Sequence, residues 1–250
     1  MRVTPRFGLQ LYTLREDVAR DLDDSLAFVA RCGFPAVEAA LLPGLTARAL
    51  RSALDRHGLR VCSAHALPFG DGAERALDDA QALGAPLVVV PFAHPERFAS
   101  ASNVAALADE LNAAAALVRS RGLRLGYHNH FWEWRALEDG SAAFDAFVSR
   151  LDPAVELELD VYWARTAGRD PAAETTRLGA RVTRLHLKDG PADKPESPMT
   201  ALGDGVVDLK AAIAAAAHAD WMLVELDQCA TSMREAVRRS AEWLGLRAAS

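Results

Sequence analysis

Imidazole and carboxylate side chains recur at one kind of position in this chain. His65, His94, His128, His130 and His186 each close or follow a short apolar, β-rich run. Of the seven histidines, only His57 and His218 lie in helical runs. Glu38, Asp160, Glu225 and Asp227 close similar runs, as do Gln10 and Tyr12. Brought together, such groups can hold a divalent ion, polarise a carbonyl and carry protons. The strongest set is His128, Asp160, His186 and Glu225, which come from four successive runs. Mixed imidazole and carboxylate donors suit Mn, Co, Zn or Mg, so one divalent ion is the expected cofactor. The bland alternative is a hydrogen-bonded polar rim without metal.

The elements that must position these residues alternate along the chain. Strand-like runs fall at Phe7–Leu11, Ala36–Glu38, Arg60–Ser63, Leu87–Pro91, Arg124–Asn129, Val155–Asp160, Val182–Leu187 and Met222–Leu226. Ala/Leu/Arg-rich stretches with helical spacing separate them. Leu45, Ala49, Leu50, Ala53 and Leu54 mark one such face, with Thr46 placed to cap it and Gly58 to stop it. Strict alternation implies parallel strands joined by helical crossovers. Eight units in 250 residues predict an α/β fold, a single (β/α)8 TIM barrel spanning residues 1–250. A doubly wound open sheet is the runner-up, but Gln10-Leu11-Tyr12-Thr13 supplies no Gly-rich turn after the first strand. In a barrel all the strand ends listed above converge on one rim. Gly190–Pro198, Pro-rich and polar, follows the seventh strand and reads as a loop on that rim.

Composition narrows the partners. The chain is 50% hydrophobic and 25% charged, enough apolar mass for a sizeable core. A net charge of −6 argues against nucleic acid. No apolar run reaches the ~18 residues of a membrane span, and no signal peptide is expected. Cys32, Cys62 and Cys229 lack close spacing and fit reduced thiols of a cytoplasmic protein. A small-molecule substrate is expected, and self-association into a homo-oligomer is left open.

Seven motifs in order resemble the sugar phosphate isomerase/epimerase family of xylose-isomerase-like barrels. They are Gly8–Leu14 (GLQLYTL), Gly33–Glu38 (GFPAVE), Tyr127–His130 (YHNH), Glu158–Trp163 (ELDVYW), His186–Gly190 (HLKDG), Leu202–Asp208 (LGDGVVD) and Val224–Asp227 (VELD). The resemblance runs from Phe7 to about Gly245. It implies one divalent metal held by Glu, Asp, His and Glu from strands five to eight. Asp160, His186 and Glu225 match the last three; His128 stands where relatives carry the first Glu. Trp163 stands where many relatives carry a histidine.

The resemblance also implies proton removal from a carbon next to a carbonyl, through an enediolate. Glu225 is the first candidate base, and His128, His130, Glu133 and Lys188 are candidate partners. Phe131-Trp132-Glu133-Trp134 surrounds one carboxylate with three aromatics, and burial there would raise its pKa. The other reading of Glu133 is a solvated loop residue. Candidate substrate contacts are Gln10, Tyr12, Glu38, His65, His94, His130, Trp132 and Trp163, with Trp134 and Tyr162 as further rings able to cover a sugar face. Asp204 within Gly203-Asp204-Gly205 disfavours phosphate there. Shared parity also predicts a buried Glu158–Arg184 ion pair below the metal. The expected activity is an isomerase or epimerase of keto-sugars or keto-polyols in carbohydrate metabolism. The alternatives are a lyase or dehydratase of 3-keto-sugars or inososes, and a non-catalytic sugar-binding barrel.

Overall fold

Each strand is short and apolar on the side facing the helices, which is what a sheet covered on its outer face requires. The computed structural model describes residues 6–247. The strands are β1 (Phe7–Gln10), β2 (Ala36–Ala40), β3 (Arg60–His65), β4 (Leu87–Val90), β5 (Arg124–His128), β6 (Glu156–Asp160), β7 (Val182–Leu187) and β8 (Trp221–Val224). All pair in parallel, each with its neighbours in sequence, and β1 pairs β8 to close the barrel. The (β/α)8 expectation is met.

The helices are α1 (Arg15–Arg20), α2 (Leu22–Arg31), α3 (Ala47–Arg56), α4 (Ala73–Leu83), α5 (Ala101–Ser120), α6 (Ala143–Arg150), α7 (Val161–Thr166), α8 (Pro171–Leu178), α9 (Leu209–Ala215) and α10 (Met233–Trp243). Two crossovers carry two helices rather than one. Asp21, with extended backbone, ends α1 and caps α2 by accepting from Asp24 N. Thr46 caps α3 as predicted, its hydroxyl accepting from Ala49 N. No helix among the described residues is long and apolar enough to cross a membrane.

The main core lies between strands and helices, with Leu50, Leu54, Leu107, Leu111, Phe144 and Phe147 fully covered. A separate small cluster of Ala36, Cys62, Trp221 and Leu223 seals the lower end of the barrel. The upper interior is polar instead. Gln10, Glu38, Glu158, Asp160, His186 and Lys188 are all essentially without solvent contact there.

The β7–α9 connection is the long rim loop anticipated from its prolines. Asp189, buried at its root, accepts backbone N–H groups from Gly190 (2.9 Å), Gly203 (2.8 Å) and Val207 (3.1 Å). Gly205 passes so close to that carboxylate that a Cβ would collide with it and with the Gly190 backbone. The N–H groups of Gly190, Gly203, Asp204, Val206 and Val207 are thus bonded within the loop, and Asp204 faces Arg239.

Candidate metal centre and active site

The strand ends deliver their polar side chains in two layers. The lower layer centres on two carboxylates. Gln10 Nε2 donates to Glu38 Oε2 at 2.6 Å. That oxygen also lies 3.0 Å from His65 Nε2 and 2.8 Å from His186 Nε2. Glu158 Oε1 lies 2.9 Å from His65 Nε2, 3.0 Å from His186 Nε2 and 3.4 Å from His128 Nδ1.

The upper layer faces the rim. His186 turns Nδ1 to Glu225 Oε2 at 2.7 Å. Lys188 Nζ sits 2.7 Å from the same oxygen, 3.0 Å from Asp160 Oδ2 and 2.7 Å from Asp227 Oδ2. Asp160 divides its two oxygens. Oδ1 caps α7 by accepting from Trp163 N at 2.8 Å, which leaves Oδ2 for the centre. His128 presents Nε2 to that oxygen at 3.9 Å.

One donor atom from each of His128, Asp160, His186 and Glu225 lies within 4.8 Å of the others. A second foursome of His65, His128, Glu158 and His186 meets the same measure one layer down. Buried polar atoms without hydrogen-bond partners concentrate here: Asp160 Oδ2, His128 Nδ1, Glu158 Oε2 and Glu38 Oε1. Buried carboxylate oxygens and imidazole nitrogens gathered this closely, several of them without a hydrogen bond, are the kind of donor set a divalent ion takes, so the residues fit a metal.

Burial and charge set the protonation states. Burial alone would raise Glu38, Glu158 and Glu225. The imidazolium character of His186, with His65 beside Glu38 and Lys188 beside Glu225, outweighs it and holds all three low, Glu158 at about 2. Burial would lower His65 and His186, and their carboxylate neighbours raise both instead, His65 to about 10. Burial raises Asp160 to about 6, although Lys188 and His186 pull the other way. His128 is pushed well below its ordinary value by burial and then by the charge of His186. A neutral imidazole is the form that ligates.

A cavity of about 440 Å³ opens above this cluster. Tyr12, His65, His128, His130, Glu225 and Asp227 line one side, and Leu41, Leu42, Pro43, Pro91 and Phe92 the other. A larger hollow of about 550 Å³ lies beside it between α1 and α10. Its Arg234 is already paired with Asp17 and Asp24, and none of the clustered groups reaches it.

Several expected roles change on these distances. Glu158 and Arg184 do not pair. Arg184 donates to Cys62 O at 2.9 Å and lies 3.4 Å from Glu156, while Glu158 meets three imidazoles above. The register shift between Leu157 and Glu158 against β7 accompanies this re-aiming. Glu133 is buried but does not line the cavity. It lies behind His130, accepting from His130 N at 2.9 Å and Tyr127 Oη at 3.1 Å. His94 is exposed on the outer rim, edge-on to Phe92. Trp132 stacks behind His130 and donates to Ala93 O, and Trp163 is buried beside Lys188. Neither ring lines the cavity. Trp134 packs on Phe144 in the core. Gln10 and Glu38 lie beneath the cavity floor. Glu158 and Asp227 belong to the cluster, although the sequence predicts Glu158 only in an ion pair with Arg184 and Asp227 only as a strand-end carboxylate. The two-residue alternation that links Glu158 to Asp160 and Asp227 to Glu225 marks both. Phe92 and the Leu41–Pro43 wall come from loops, where no periodicity announces them.

Glu133 yields one prediction. Burial raises it to about 8 from an ordinary value near 4.5, so the folded state holds it neutral at pH 7. The stability it contributes is full below about pH 4.5 and is lost as pH rises towards 8. Glu133→Gln keeps the acceptor and cannot ionise. At pH 8.5 it should be more stable than the parent protein by on the order of 2–4 kcal/mol, and near parity at pH 4.5. Urea unfolding at the two pH values checks this; equal differences at both would refute a buried neutral acid.

A closed (β/α)8 barrel with imidazoles and carboxylates on its C-terminal rim defines an enzyme-type TIM barrel. The chain belongs to the xylose isomerase-like TIM barrel family, whose profile matches residues 26–246. A 2-epi-5-epi-valiolone 7-phosphate 2-epimerase from Actinoplanes sp. is 33% identical over 137 residues, 53% of this chain and 47% of that protein. The match thus spans about half of that relative's length. The crystal structure of a sugar phosphate isomerase/epimerase from Parabacteroides distasonis superposes with a TM-score of 0.82 at 24% identity, covering 97% of this chain and 94% of that one. An IolI protein with a bound zinc atom superposes at 0.69 and 14% identity, covering 95% of each. The structural likenesses establish the fold.

Proposed function

We propose that this chain is a divalent-metal-dependent isomerase or epimerase that removes a proton next to the carbonyl of a keto-sugar or keto-polyol. The observation that carries this reading is the convergence of His128, Asp160, His186 and Glu225 on one point beneath an open cavity. The epimerase among the relatives and the zinc atom in one structural neighbour support it.

His128, Asp160, His186 and Glu225 would hold the ion. When bound, it would polarise the carbonyl and offset the negative charge of the enediolate. Glu225 has one oxygen engaged by His186 and Lys188, and Oε1 remains to take the proton. His130, on the cavity wall, is the partner for returning it, its backbone N–H held from behind by Glu133. The apolar wall of Leu41, Leu42, Pro43 and Phe92 excludes water from the reacting carbon.

A lyase or dehydratase reading is favoured by one observation. His128 replaces a carboxylate, so no second carboxylate faces Glu225 across the cavity to give the symmetric acid/base pair of an epimerase. The same enediolate would then expel a β-substituent.

The test uses purified protein, elemental analysis, and NMR of a keto-sugar and inosose panel in heavy water with added Mn²⁺. One metal per chain and deuterium at the carbon next to the carbonyl is the expected result. Loss of a β-substituent instead selects the lyase. Neither metal nor exchange would leave the sugar-binding barrel.

A further inference from the structure

Lys188 stands at the point where the candidate metal centre calls for a cation. Its side chain is fully buried, and its Nζ touches Asp160 and Glu225, two of the four groups able to hold the ion. An ammonium and a divalent ion drawn to the same two oxygens repel one another at short range, and a buried setting screens that repulsion little.

The third partner of Lys188 differs from the other two. Asp227 lies outside the ligand foursome, and its side chain is 32% exposed. Its backbone is pinned. The carbonyl accepts from Arg15 Nη2 at 2.7 Å, and the N–H of the preceding residue, Leu226, donates to Thr13 Oγ1 at 3.1 Å. This places the carboxylate at the cavity edge, within 2.7 Å of the Lys188 ammonium.

We propose that Lys188 is a built-in competitor of the divalent ion, and that Asp227 is the second seat that keeps its ammonium when the ion takes Asp160 and Glu225. This rests on the metal-dependent reading above. In the metal-free protein Lys188 offsets the repulsion between the two carboxylates. In the loaded protein its charge is carried by Asp227 alone. Affinity for the ion is then set by residues 188 and 227 as well as by the ligands.

The experiment measures Mn²⁺ affinity by calorimetry, with melting curves with and without Mn²⁺, for the parent protein and three variants. Lys188→Met should bind Mn²⁺ about tenfold more tightly or better, and Asp227→Asn about tenfold more weakly, the scale on which groups behind a ligand shell act. In the double variant the Asp227→Asn effect should vanish, because the ammonium it seats is gone. Metal-free Lys188→Met should melt lower than the parent, and Mn²⁺ should raise its melting temperature by more. Should Lys188→Met fail to fold without metal, Asp227→Asn at its partly exposed position still decides. Parent-like affinity in Asp227→Asn, unchanged or weaker affinity in Lys188→Met, or an undiminished Asp227→Asn effect in the double variant overturns the competition. Mn²⁺ binding by Lys188→Met but not by the parent supports it. Mn²⁺ binding by neither overturns it together with the metal-dependent reading, whereas a parent that binds with no difference among variants overturns the competition alone.

Discussion

Asp160→Ala is expected to retain no divalent metal after desalting while keeping the barrel intact. Asp160 Oδ2 is a buried carboxylate oxygen whose close neighbour is the Lys188 ammonium at 3.0 Å, and Asp160 offers a donor atom within 4.8 Å of donors from His128, His186 and Glu225. Its removal deletes one of only two carboxylates in that foursome, and charge is most of what they offer a hard cation. The other oxygen caps α7, so the alanine variant also loses about 1 kcal/mol of stability. Asp160→Asn preserves the side chain's capping oxygen and separates the two effects: stability near that of the parent, metal still lost. Elemental analysis and urea unfolding of both variants give the answer. Full metal occupancy in Asp160→Ala would remove the centre as drawn.

Glu225→Gln should lower turnover by about 10²–10⁴-fold, the usual contribution of a general base. The amide fills the same volume and can still accept from Lys188, yet it cannot take a proton. Its effect should therefore persist at saturating Mn²⁺, which distinguishes a lost base from a weakened ligand. Heavy-water exchange on the substrate that the panel identifies is the direct readout. Exchange within about tenfold of the parent would move the base elsewhere, with His130 next in line by its place on the cavity wall.

Much of the barrel was legible in the residues. Apolar β-rich runs alternating with helical faces dictate parallel strands with crossovers, and that local rule holds for all eight units. The rim was legible for the same reason. Polar residues at the ends of buried strands have nowhere to go but a shared polar site, so His128, Asp160, His186 and Glu225 could be grouped before any distance was known. The caps at Thr46 and the loop role of Gly190–Pro198 are local too.

Tertiary structure decided what depends on reach and on third parties. Glu158 and Arg184 are register partners between β6 and β7, yet Glu158 meets His65 and His186 while Arg184 donates to Cys62 O, contributed from β3. No spacing along one strand carries that information. Glu133 and Trp132 sit in the right loop, but only the packing of that loop puts them behind His130 instead of in the cavity. Lys188 was visible as a strand-end cation. That its ammonium lies among Asp160, Glu225 and Asp227 follows from three strands closing around it. Sequence periodicity fixes which way a side chain leaves its own strand, whereas its partners are set by barrel closure, which brings distant strand ends within a few ångströms.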